Sequence, residues 1–249
     1  MQDNKQPKVQ VRNLTKQFGD LLVLNDISFD VQAGEFLCIV GPTGCGKTTF
    51  LNSLTKLYEP TKGEILLDGE PVDLRKHNIA YIFQEYSTMP WLTVEENVGF
   101  GLDIKGVEKT KAKALVDEYL ELVGLTKYRK YYPDQLSASM LQRVVIARAF
   151  ATQPDLLLMD EPYGQLDIQL RYHLEDELIR LWQRTGTTVL FITHNIEEAV
   201  YMGQRILVLT NKPTSIKCNI ENDLPRPRDI ASPDFVRLRN QVTDLIKWW

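Results

Sequence analysis

The 249-residue chain has only three cysteines, Cys38, Cys45 and Cys218. They are odd in number, widely spaced and fit no zinc pattern, so a disulfide scaffold falls away. They read as free thiols in a reducing compartment. Long apolar runs are missing too: none approaches the roughly 18 residues of a membrane helix. The opening MQDNKQPKVQ has no apolar signal core. The chain is therefore expected not to cross a membrane by itself. Basic charge is not in excess either: 29 Lys and Arg stand against 33 Asp and Glu, a net charge of −4. Sequence-independent nucleic-acid binding needs a basic surface, so no nucleic-acid partner is expected. Neither internal repeats nor low-complexity tracts occur. What is present, 43% hydrophobic and 25% charged residues, is ordinary globular composition that can bury a sizeable core.

Apolar runs at 35–40, 64–69, 79–83, 156–159 and 188–192 read as strands, several of them uninterrupted, as in a sheet covered on both faces. Between them, 48–57, 168–184 and 195–202 have helical spacing. The charged stretch 108–123 places Leu115, Tyr119, Leu122 and Val123 on one helix face. Ser137 is positioned to cap a helix through LQRVVIARAFA. Alternation of strand and helix predicts an α/β fold with a mainly parallel sheet. Residues 86–153 lack a strand and read as a helical insertion. After Asn211 comes LPRPRD, then an amphipathic helix finishing at Trp248 and Trp249.

Chemistry concentrates at the strand ends. Gly41-Pro42-Thr43-Gly44-Cys45-Gly46-Lys47-Thr48 follows a strand and opens a helix, the context expected of a G-x-x-x-x-G-K-[ST] phosphate loop. Its backbone N–H groups and the helix N-terminus suit phosphate oxygens. Lys47 suits the β- and γ-phosphates, and Thr48 suits Mg²⁺. Thr49 follows in the same turn. Asp160 and Glu161 leave the apolar strand Leu156–Met159. Asp160 suits Mg²⁺, and Glu161 suits a general base on the attacking water. Read alone, the pair has a helix cap or a solvated turn as its lesser alternative; the phosphate loop upstream strengthens the catalytic reading. His194 ends another apolar strand; taken alone it reads as a structural histidine, and the parallel with the other strand ends favours a role near the γ-phosphate. Gln84, leaving a third strand, suits Mg²⁺ or the attacking water. Cys45 is expected to bind phosphate through its backbone N–H with its side chain turned away.

With these motifs in order, the chain resembles the ATP-binding-cassette ATPases, from about Val9 to about Arg228. Residues 41–48 match the Walker A motif, 156–161 Walker B, Gln84 the Q-loop, Leu166-Asp167 the D-loop and His194 the switch histidine. Phe18 falls where the family stacks an aromatic on adenine. The resemblance implies a P-loop α/β core with an antiparallel β subdomain and an inserted helical subdomain. The implied boundaries are 1–85 with 154–210 for the core, 86–153 for the helical part and 211–249 for a C-terminal extension, all one ATPase domain. It implies ATP and Mg²⁺ as cofactors, and a second cassette that pairs head to tail, either identical or different. It also implies an integral membrane permease, an indirect solute-binding protein and a peripheral place at the cytoplasmic face of the membrane.

The signature motif departs from the family's LSGGQ: here it is Leu136-Ser137-Ala138-Ser139-Met140. Ser137, Ala138 and Ser139 remain candidate contacts to the partner's nucleotide, as does Asp167. With both glycines lost, two outcomes stand. The side chains crowd the phosphate and slow hydrolysis, or, on a helical backbone, they fit. Gln165 and Asn195 also replace the family's usual alanine and aspartate. Met140 and the segment Met89-Pro-Trp-Leu-Thr-Val-Glu-Glu-Asn97 resemble the nitrate, sulfonate, taurine and bicarbonate importer group, as do 207–212 and LPRPRD. Within that segment Trp91 reads either as core or as a permease contact. A soluble non-transport cassette and a weakly hydrolysing heterodimer partner are the alternatives.

Overall fold

The computed structural model describes residues 6–164 and 166–246. In chain order these form β1 (Val9–Phe18), β2 (Leu21–Val31), β3 (Phe36–Val40), α1 (Lys47–Leu54), β4 (Lys62–Leu67), β5 (Glu70–Pro71) and β6 (Ile79–Ile82). Then follow α2 (Val94–Ile104), α3 (Lys109–Leu122), α4 (Ala138–Ala151), β7 (Leu156–Asp160) and α5 (Ile168–Thr185). The chain continues with β8 (Thr188–Thr193), α6 (Ile196–Met202), β9 (Arg205–Leu209), β10 (Ile216–Glu221) and α7 (Pro233–Ile246). Contacts divide it into two compact units, residues up to His77 with those from Thr188, and Asn78–Thr187.

In the first unit β2, β1, β4 and β5 form an antiparallel sheet. Alternation alone does not reveal β1 and β2, because the ladder shifts register between Val11 and Leu14. Asn13 and Asp26 have left-handed φ of 46° and 51° there and are hydrogen-bonded to each other. Such irregularities break the period-2 pattern that sequence reading relies on. Leu67 pairs with Glu70 across Asp68-Gly69, both at positive φ, the two-residue turn that Asp-Gly favours. The other sheet holds β3 between β8 and β9, all parallel, with β10 antiparallel on β9. Every residue of β3 and β8 is buried, which is why both read as unbroken apolar runs.

In the second unit β6 and β7 pair in parallel, and α4 packs against β6, α2, α3 and α5. The buried face of α3 runs through Leu115, Val116, Tyr119 and Leu120. Leu122, expected on that face, is half-buried. Helix α1 stops at Leu54, three residues short of the expected end, where Lys56 turns to a left-handed φ of 56°. The C-terminal helix is present as α7; Trp248 and Trp249 lie outside the described residues.

Candidate active site

Parallel pairing brings functional residues to shared sheet edges. In the first unit Val40 pairs with Thr193, so Gly41 and His194 leave neighbouring strands at one edge. In the second unit Ile82 pairs with Met159, so Phe83-Gln84 and Asp160-Glu161 leave together. Ligands bind at such carboxyl edges of open α/β sheets because the loops there are free to shape a cleft.

Loop 41–46 curls around Lys47, a residue only 5% exposed, whose ammonium donates to the Gly41 and Pro42 carbonyls at 3.0 and 3.1 Å. Gly44 has a φ of 75°, a backbone state that suits glycine. Gly46 has a φ of 114°, and a Cβ there would meet Val23 Cγ1 at 2.8 Å. No side chain caps α1 and no acid sits in its first turn, so no negative charge there opposes an anion at the helix N-terminus. Thr43 and Thr48 are exposed, and Thr49 half-buried. The Cys45 N–H donates to the Pro42 carbonyl at 3.1 Å. Its side chain is buried, and burial pushes the thiol up against the opposing pull of Lys47. Phe18 is 41% exposed and meets Tyr58 edge-on at 5.3 Å, with the Lys16 ammonium 4.8 Å from its ring centre.

His194 is exposed between two anchored neighbours. The Thr193 hydroxyl donates to Glu198 Oε2 at 2.6 Å, and the Asn195 N–H donates to the Thr193 hydroxyl at 2.9 Å. Asn195 caps α6 and accepts from the Glu197 and Glu198 N–H groups. Its Nδ2 also donates to Glu198 Oε1 at 3.5 Å, where an aspartate would set two carboxylates face to face.

In the second unit Asp160 is buried, and the Tyr81 hydroxyl donates to its Oδ2 at 3.4 Å. Tyr81 pairs with Leu158, which puts Asp160 on the same face one diagonal step on. Burial, then the Asp160 charge, push the Tyr81 hydroxyl up, so it stays a proton donor. Glu161 adopts a φ of 47° as the chain leaves β7. A non-glycine residue there costs about 1–3 kcal/mol, a strain found at functional turns. Gln84 is exposed, with Nε2 3.8 Å from where a Cβ on Gly164 would sit. Asp167 caps α5 by accepting from the Leu170 N–H at 3.0 Å. Gln165 lies outside the described residues. Ser137 caps α4, and Ala138 and Ser139 form its first turn, with the two serine hydroxyls 3.1 Å apart. The backbone is thus helical at both positions that replace the family's glycines.

Sequence reading missed Tyr58 and Lys16 around Phe18, Tyr81 on Asp160, and Thr214. Thr214 is fully buried and its hydroxyl donates to the Cys45 carbonyl. Its N–H donates to the Val23 carbonyl, and its own carbonyl accepts from the Asn25 N–H, both at 2.8 Å. Nothing near Thr214 in sequence marks it, because its partners lie far away along the chain.

A glycine-rich loop opening a helix after a buried strand, with carboxylates leaving another strand, is the set of parts that marks the class of P-loop ATPases. The ABC transporter family profile matches residues 24–164. The aliphatic sulfonates import ATP-binding protein SsuB of Bacillus anthracis is 42% identical over 227 residues, covering 91% of this chain and 89% of that protein. An uncharacterized ABC transporter ATP-binding protein of Methanocaldococcus jannaschii is 42% identical over 249 residues, covering 98% and 93%. Among solved structures, the dimeric cassette MJ0796 in a post-hydrolysis state bound to ADP and Pi matches at a TM-score of 0.74 and 31% identity, over 86% of this chain and 98% of that one. The chain belongs to the ABC transporter family and is one of its ATP-hydrolysing subunits.

Proposed function

We propose that this chain powers import of a small sulfonate-like anion, with the permease and a solute-binding protein as separate chains. The substrate class rests on the similarity to the sulfonate-import relative over nearly the whole length. In this reading the loop 41–48 and Thr49 bind the ATP phosphates and Phe18 stacks on adenine. Thr48, Asp160 and Gln84 offer hydroxyl, carboxylate and carboxamide oxygens, the hard donor set that Mg²⁺ takes. When bound, the ion neutralises charge on the β- and γ-phosphates. Glu161 accepts the proton of the attacking water and His194 meets the γ-phosphate side. Ser137, Ala138, Ser139 and Asp167 face the nucleotide of the second cassette.

The permease reading rests on a groove of about 420 Å³ in the second unit. Tyr81, Phe83, Met89, Phe100 and Ile104 line it, with Arg148. Asn97, fully buried, ties the Met89–Thr93 loop by accepting from the Met89 N–H and donating to the Met89, Leu92 and Thr93 carbonyls. That loop presents Trp91 72% exposed, which excludes the core alternative. Exposed Phe83 and Ile104 add apolar surface of the kind that receives a partner helix. No helix among the described residues is long and apolar enough to cross a membrane; docking on a permease supplies the membrane attachment, at its cytoplasmic face.

The observation that carries hydrolysis is Glu161, held at a strained strand end beside Asp160. Glu161→Gln is expected to keep ATP binding and to lose roughly 10²–10⁴-fold in turnover, the range of general-base removal. Near-normal phosphate release from that variant would assign the base to another residue.

A further inference from the structure

The segment Leu224–Asp229 takes no part in the site above, yet two arginines from it turn inward. Arg228 is 7% exposed. Its Nη1 donates to the carbonyls of Val200, Tyr201 and Gly203 at 2.8, 2.9 and 2.7 Å. Its Nη2 and Nε hold the Asn222 and Leu224 carbonyls at 3.0 and 3.2 Å. Arg226 donates to the Tyr201 carbonyl at 3.2 Å and to the Met202 carbonyl. Buried Asn222 adds bonds to the Val200 and Gly203 carbonyls at 2.8 and 2.9 Å. Three side chains thus converge on the carbonyl end of α6, where a helix carries partial negative charge.

Helix α6 has seven residues. So short a helix is marginal by itself, and its placement is set by what holds its ends. At its other end stands His194, flanked by Thr193 and Asn195, both hydrogen-bonded to Glu198 in the same helix. Burial, with Arg226 close by, pulls the Arg228 guanidinium down to about 10. Two like charges packed together at this cost indicate a structural demand at that helix end.

We propose that Arg226 and Arg228 are positioning residues for His194, holding α6 as a short strut whose far end sets where the histidine stands. The inference rests on the reading of His194 as the group beside the γ-phosphate. The phosphate loop is anchored separately, through Thr214, which bonds the Cys45 and Val23 carbonyls. Loosening the strut therefore affects turnover and spares nucleotide binding.

The test uses the full chain with Arg226→Gln, Arg226→Lys, Arg228→Gln and His194→Ala. Turnover, affinity for a fluorescent ATP analogue and hydrogen exchange of the 197–203 amides are measured. Both glutamine variants are expected to lose about tenfold in kcat with affinity changed less than about twofold, and with faster exchange in α6. Arg226→Lys, which keeps the cation, is expected to retain most of the turnover. Unchanged kcat in the glutamine variants, or affinity falling in step with kcat, overturns the proposal. If Arg228→Gln does not fold, Arg226→Gln decides by the same criteria. His194→Ala separates the two levels. Full turnover there removes the histidine reading and the proposal with it. An inactive His194→Ala beside unaffected arginine variants removes the proposal alone.

Discussion

At the scale of single residues, the phosphate loop is held by a side chain outside its own motif. Thr214 bonds the Cys45 carbonyl through its hydroxyl and the Val23 carbonyl through its N–H. It therefore ties the underside of the loop to β2. Valine has nearly the same shape but no donor, and it leaves a buried carbonyl short of a partner. Such a loss costs about 1 kcal/mol, or roughly fivefold in affinity. Thr214→Val is expected to weaken binding of a fluorescent ATP analogue by that factor, and Thr214→Ser to restore it. Equal affinity in all three proteins would show that the loop is set without the hydroxyl. The chemistry of the loop was readable because eight consecutive residues carry it. Its support was not, because Thr214 lies 169 positions from Cys45.

At the scale of elements, α4 bears on the question raised by its altered signature. Ala138 and Ser139 lie in its first turn, where a Cβ has room and glycine only adds freedom to the unfolded chain. Replacing both by glycine is expected to cost about 1 kcal/mol and to lower the thermal midpoint by roughly 2–4 °C. Phosphate release by the assembled complex should stay within about twofold. A clear rise in that rate would show instead that the two side chains had obstructed the partner's nucleotide. The helix itself was legible from Ser137 onward, since a capping hydroxyl before an apolar run is a local signal. Strands β1 and β2 were not, since their bulges interrupt the alternation on which recognition depends.

At the scale of the whole molecule, the lack of long apolar runs argued only that the chain does not cross a membrane by itself. The exposed aromatic and aliphatic side chains Phe83, Trp91 and Ile104 offer the docking surface that the proposed permease pairing calls for. Phe83→Asp with Ile104→Asp is expected to abolish co-purification with a co-expressed membrane permease of the proposed importer. Binding of the fluorescent ATP analogue should be unchanged, because neither residue belongs to the phosphate loop or the adenine contact. Undiminished co-purification would move the docking surface elsewhere.

The class of enzyme was settled by short contiguous patterns: a phosphate loop, two carboxylates after an apolar strand, and a histidine after another. Each works through backbone and side chains a few residues apart, so linear order is enough to specify it. Tertiary structure alone decided what steadies those groups. Thr214 under the loop, Tyr81 on Asp160, and Arg226 and Arg228 at the end of α6 act on residues 24 to 169 positions away. Hydrogen bonds of that kind depend on strand register and helix packing, which no local pattern encodes.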